Sequence, residues 1–73
     1  MMEAISVHSS FIKSAAYNED KGFLRLEIGN AWYYFYGMTK QKVARFKKAH
    51  SKGKYFCQYI KGQYRMAKRN INK

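Results

Sequence analysis

The sequence predicts an α+β fold: a three-stranded antiparallel β-meander packed on two C-terminal α-helices. Three observations lead there. A period-2 apolar pattern and a run of aromatic residues flank the dipeptide Gly29-Asn30. After Gly37 the apolar spacing changes from that of a strand to that of a helix. With 73 residues, the chain has room for one domain and a core of marginal size.

The segment 1–10 reads as an N-terminal arm. Residues 11–17, FIKSAAY, are expected to form the first strand. Asn18 to Gly22 supply turn residues with a closing glycine. The second strand is FLRLEI, residues 23–28. Its Leu24, Leu26 and Ile28 alternate with Phe23, Arg25 and Glu27. Gly29-Asn30 is a two-residue hairpin signal, and the aromatic run Trp32 to Tyr36 is the returning strand.

A two-residue loop at this point fixes the pairing. Ile28 then faces Ala31, Leu26 faces Tyr33, and Leu24 faces Phe35, all on one side. That aliphatic side must be the core. Glu27 faces Trp32, Arg25 faces Tyr34, and Phe23 faces Tyr36 on the other. Open antiparallel sheets normally present polar residues there. Aromatic rings beside basic side chains are how several single-strand binders stack bases, each worth about 1–3 kcal/mol. The competing expectation is that Ile5, Val7 and Phe11 fold over these rings as a second small cluster. A protein-binding patch has the same composition, since Trp, Tyr and Arg dominate interface hot spots.

Thr39 is the expected N-cap of a helix reaching about His50, with Met38 and Val43 as its hydrophobic staple. Val43, Phe46 and His50 share one face of it; Arg45 and Lys48 point away. Gly53 breaks this helix, and a second is expected from near Lys54. Phe56, Tyr59, Ile60 and Gln63 would lie on its inner side. Lys54, Lys61, Arg65 and Lys68 would form an outer stripe if the helix passed Gly62. Residues 65–73 read as a basic, partly frayed tail.

Charge is the strongest functional signal. The formal net charge is +11 and the pI is near 10.0. Residues 1–37 carry three bases and four acids, while residues 38–73 carry twelve bases and no acid. A half so charged repels itself, and a polyanion would relieve the repulsion. Nucleic acid is the first candidate partner. No apolar run is long enough to span a membrane. A single cysteine, Cys57, rules out an intrachain disulfide and fits a reducing compartment, so a cytoplasmic protein is expected.

No constellation points to catalysis, and no cofactor is implied. His8 stands next to Ser9 and Ser10, but adjacent residues do not form a nucleophile–base pair, and no acid is placed to orient His8. Turn or cap bonding is the expected role of the serines. One cysteine and two distant histidines make no zinc pattern. Cys57 is expected to pack as a small residue and His50 to lie in the core or at a helix end. SKGKY lacks the length and the preceding strand of a phosphate loop. Lys52 and Lys54, flanking Gly53, can still hold one phosphate or sit in a solvated turn.

The segments VHSSFIKSAAYNEDKGFLRLEI, YYFYGM and AHSKGKYFCQYIKGQY resemble the KTSC domain. That domain occurs at the C-terminus of some lysyl-tRNA synthetases and as small standalone proteins, many of them bacterial or phage. Ser9-Ser10, Tyr17, the aromatic run and Ser51-Lys52-Gly53 correspond to its pattern, over about residues 7–64. Met38-Thr39 stands where the family has Val-Pro. Aligned from there, the family's tyrosine motif falls on Tyr33 and Phe35; literal matching selects Tyr34 and Tyr36. The resemblance implies RNA binding.

The functional expectation is a monomeric, non-catalytic module for RNA or single-stranded nucleic acid. Phe23, Trp32, Tyr34 and Tyr36 would meet bases or a partner. Arg25, Arg45, Lys48, Lys52 and Lys54 would meet phosphates. The alternative is a phage-encoded transcription regulator in a bacterial host cell. It would dock on host RNA polymerase or a related machine through the aromatic patch.

Overall fold

A computed structural model describes residues 2–71 of the chain. Five strands form one antiparallel sheet in the order β1-β2-β3-β4-β5. They are β1 (Met2–Ile5), β2 (Ile12–Asn18), β3 (Phe23–Ile28), β4 (Ala31–Tyr36) and β5 (Met66–Asn70). Between β4 and β5 lie helix α1 (Lys40–Lys48) and helix α2 (Lys52–Tyr55), which continues as a π-helical turn over Phe56–Ile60. The α+β class and the two helices are as expected. Five strands replace three.

The central hairpin follows the register that Gly29-Asn30 imposes. Ile28 pairs with Ala31, Leu26 with Tyr33 and Leu24 with Phe35; Glu27, Arg25 and Phe23 pair with Trp32, Tyr34 and Tyr36. Gly29 has φ +62°, as a II′ loop with glycine first requires. Leu24, Leu26 and Phe35 are fully buried and join Ile12, Tyr17, Val43, Phe46, Phe56 and Ile60 in one core. The helices therefore cover a single face of the sheet. Tyr33 is half-buried at the rim of this core.

Thr39 caps α1, its Oγ1 accepting from the Lys42 N–H at 3.2 Å. Met38 and Val43 are both buried, as a staple demands. The Tyr17 hydroxyl donates to the Met38 carbonyl at 3.0 Å inside the core. This bond ties the middle of the sheet to the start of α1.

The arm and the tail are corrected. Residues 2–5 form an edge strand on β2, and Ile5 enters the helix-side core at 7% exposure. Val7 packs against the same core. Phe11 meets Phe56, centroids 6.2 Å apart. None of the three covers the aromatic face. Only one residue of MEAI is buried, so the sequence carries no strand period there.

At the other end, helix geometry stops at Ile60, and Gly62 turns the chain with φ +77°. Residues 66–70 pair along β4, from Phe35–Met66 to Ala31–Asn70. The expected stripe of Lys54, Lys61, Arg65 and Lys68 does not exist, because Lys68 is on β5. Ile71 donates its N–H to Asn30; Asn72 and Lys73, the end of the expected frayed tail, lie outside the described residues.

Inside α2 the wider π turn alters which side chains face inward. The Lys61 N–H reaches the Phe56 carbonyl at 2.8 Å, five residues back. Phe56 and Ile60 stay buried, but Tyr59 is 57% exposed and Gln63 lies exposed in the following turn. Cys57 is exposed rather than packed. His50 is exposed too, because α1 ends at Lys48.

Candidate nucleic-acid interface

The nine residues chosen from the sequence separate into two groups. Phe23, Arg25, Trp32, Tyr34 and Tyr36 stand together on the sheet face away from the helices. Arg45 and Lys48 lie in the last turns of α1, and Lys52 and Lys54 in α2. Only residues 49–51 separate the two helices, so these four cations flank the α1–α2 junction, a corner of the helical layer. The sheet separates that corner from the rings.

On the sheet face the rings are already engaged with one another. The Arg25 guanidinium lies over Trp32, 4.2 Å from its centroid. Phe23 meets Tyr34 and Tyr36 edge-on at 5.3 and 5.8 Å. Phe23, Trp32 and Tyr34 are half-buried, and Tyr36 is exposed. Arg25 Nε is buried without a hydrogen-bond partner among the described residues. The Glu27 carboxylate instead accepts from Ser14 Oγ at 3.0 Å. The ring thus holds the guanidinium where a carboxylate usually would. β5 adds Arg69 directly opposite Trp32, a contributor hidden by the missed strand.

At the corner, Arg45, Lys48 and Lys54 are exposed and Lys52 is half-buried. None of the four has an ion pair among the described residues, whereas Lys47 is paired with Glu3 at 2.9 Å and Lys40 with Glu19 at 3.2 Å. The two pairs occupy acids that would otherwise repel phosphate. Lys42 sits over Tyr64 and Lys68 over Tyr33, at 5.0 and 5.7 Å.

The corner adjoins a groove of about 620 Å³ between residues 8–11 and α2. Its lining joins segments that look unrelated in the sequence: His8 to Phe11 on one side, Ser51, Gly53, Lys54, Cys57 and Gln58 on the other. Ser9 Oγ accepts from the N–H groups of Phe11 and Ile12, both at 3.3 Å, which fixes the turn into β2. Ser51 Oγ caps α2 by accepting from the Lys54 N–H at 3.4 Å.

Gly53 explains how the halves approach. A Cβ there would lie 2.8 Å from Phe11 Cε1 and 3.1 Å from Ser9 Oγ. Its φ is not positive, so close approach alone accounts for the glycine. Gly53 was expected to break the first helix; instead α1 ends at Lys48 and Gly53 lies inside α2, where it serves packing. What it packs against was not legible from its neighbours.

The Ser-Ser and Ser-Lys-Gly segments therefore form one structural unit. The KTSC domain family matches residues 8–64, from the first groove residue to the end of the turn after α2. The chain belongs to the KTSC domain family. A crystal structure of a KTSC domain protein from Yersinia pestis is similar throughout: TM-score 0.86, 30% identity, covering 96% of this chain and 100% of that one. No curated protein matches the chain. Of the two alignments of the family's tyrosine motif, one selects Tyr33 and Phe35 on the core side and the other Tyr34 and Tyr36 on the opposite face.

Proposed function

We propose that this KTSC domain is a non-catalytic nucleic-acid-binding module whose phosphate contacts centre on the α1–α2 corner. The observation that carries the reading is that Arg45, Lys48, Lys52 and Lys54 flank the α1–α2 junction without ion pairs among the described residues, while Glu3, which lines a groove with Lys52, is engaged by Lys47. Four cations with no ion pair among the described residues gain more from a polyanion than from solvent, because binding releases the counterions condensed on it.

The sheet face has a subordinate place in this reading. Its rings are half-covered by each other and by Arg25. The Arg25 guanidinium already occupies one face of Trp32. Tyr36, at 37% exposure, is the most open ring of the four.

Titration of a fluorescent single-stranded RNA at low salt, read by anisotropy, tests the reading. Saturable binding with Kd of about 10⁻⁴–10⁻⁶ M or tighter is expected. No anisotropy change at that protein concentration would sink it.

A second reading, docking on a protein such as a host transcription machine, is favoured by the same ring packing. Interlocked rings around an arginine on an uncovered sheet face are hot-spot chemistry. Retention of a defined protein partner after nuclease treatment, lost on Tyr36→Ala, would favour it over the first.

A further inference from the structure

The groove between residues 8–11 and α2 is the least explained feature of the molecule. It is built rather than incidental. Gly53 lets the Ser51-Lys52-Gly53 turn press against Ser9 and Phe11, where a Cβ would be 2.8 Å from the ring. Phe11 leans on Phe56, with ring planes at 54°, and still leaves 37% of its surface exposed. The π-helical turn brings Cys57 and Gln58 to the same wall, and such turns recur at functional sites.

Its chemistry is selective. The lining offers one aromatic ring, the Lys54 ammonium, the hydroxyls of Ser10 and Ser51, the Gln58 amide and the His8 imidazole. No acidic side chain lines it among the described residues. A bare anion would have no use for the ring, and a sheet of hydrocarbon no use for the cation. A planar base joined to a phosphate uses both. The volume, about 620 Å³, falls among sites that hold small molecules, which span about 300–1,000 Å³. Ser51 and Lys54 also belong to the cationic corner, so a strand tracked by its phosphates along the corner leads into the groove.

We propose that this groove seats one nucleotide of a bound single strand, its base against Phe11 and its phosphate beside Lys54. The proposal rests on the nucleic-acid reading and adds a location that the sheet-face rings do not provide. Base-to-aromatic stacking tolerates any base, so Phe11 supplies contact without sequence preference. The Gln58 amide, with both donor and acceptor, supplies what preference there is.

Cys57 provides a direct probe, because it is the single cysteine, is exposed, and lines the groove. The experiment measures the rate of its alkylation by iodoacetamide with and without a mixed-sequence single-stranded RNA, with binding followed in parallel by anisotropy. At RNA about tenfold above its Kd, the rate is expected to fall about tenfold, in proportion to the free fraction. Phe11→Leu and Lys54→Gln should each weaken this protection, and inorganic phosphate at the same ionic strength should give none. RNA that binds while Cys57 reacts at its free rate would overturn the groove assignment and leave the nucleic-acid reading standing. Protection by phosphate alone would reduce the groove to an anion site and overturn the base contact. Absence of RNA binding would overturn both.

Discussion

The Arg25 guanidinium rests 4.2 Å from the centroid of the Trp32 ring, on the one sheet face that carries no helix. The two residues are diagonal neighbours, since Arg25 pairs with Tyr34 and Trp32 with Glu27. Trp32 is the single tryptophan, so its emission reports this contact without interference. Arg25→Ala should shift that emission to longer wavelength and reduce stability by about 0.5–1 kcal/mol. Arg25→Lys should recover only part, because an ammonium does not lie flat on a ring. Unchanged emission in Arg25→Ala would show that the guanidinium does not cover the ring in solution.

The Tyr17 hydroxyl binds the Met38 carbonyl at 3.0 Å in the core. Tyr17→Phe removes the donor and leaves a buried acceptor unpaired, at a cost of about 1–3 kcal/mol. The expected result in urea is a lower midpoint with an unchanged slope. A midpoint equal to that of the parent protein would show that the bond contributes nothing to stability.

Gly53→Ala sets two effects against each other. Alanine favours a helix over glycine by about 1 kcal/mol. Against this, the new Cβ meets Phe11 Cε1 at 2.8 Å and Ser9 Oγ at 3.1 Å. Overpacking of this kind costs about 1–3 kcal/mol, so a net loss is expected. Introducing the same change into Phe11→Ala should cost less, with a coupling of about 0.5–3 kcal/mol in a double-mutant cycle. Additive effects would mean that Gly53 and Phe11 do not touch as described.

The central hairpin was readable because its information is local. Gly29-Asn30 fixed the register of Phe23–Ile28 against Ala31–Tyr36, and register assigned every ring to a face. The Thr39 cap and its staple were readable for the same reason. The edge strands were not. MEAI buries only Ile5, and MAKRN buries no residue fully, so neither carries a period of two. Their strand state comes from pairing with β2 and β4. The π turn escaped helical periodicity by definition, which sent Tyr59 to the surface. The cations chosen from the sequence divide into two sets, because nothing in the sequence puts Arg25 and Lys54 on opposite sides of a sheet. The groove was divided between residues 8–11 and 51–58 and became visible only when the fold joined them.

The most direct test of the proposal that the α1–α2 corner binds phosphates is the slope of log affinity for single-stranded RNA against log salt concentration. A straight line is expected, falling by about 0.7 per phosphate neutralised. Replacing Arg45 and Lys48 together by glutamine should make the slope shallower by about 1.4 if each meets one phosphate. Affinity independent of salt, or a slope that the double replacement leaves unchanged, would contradict the assignment of that corner as the phosphate-binding surface.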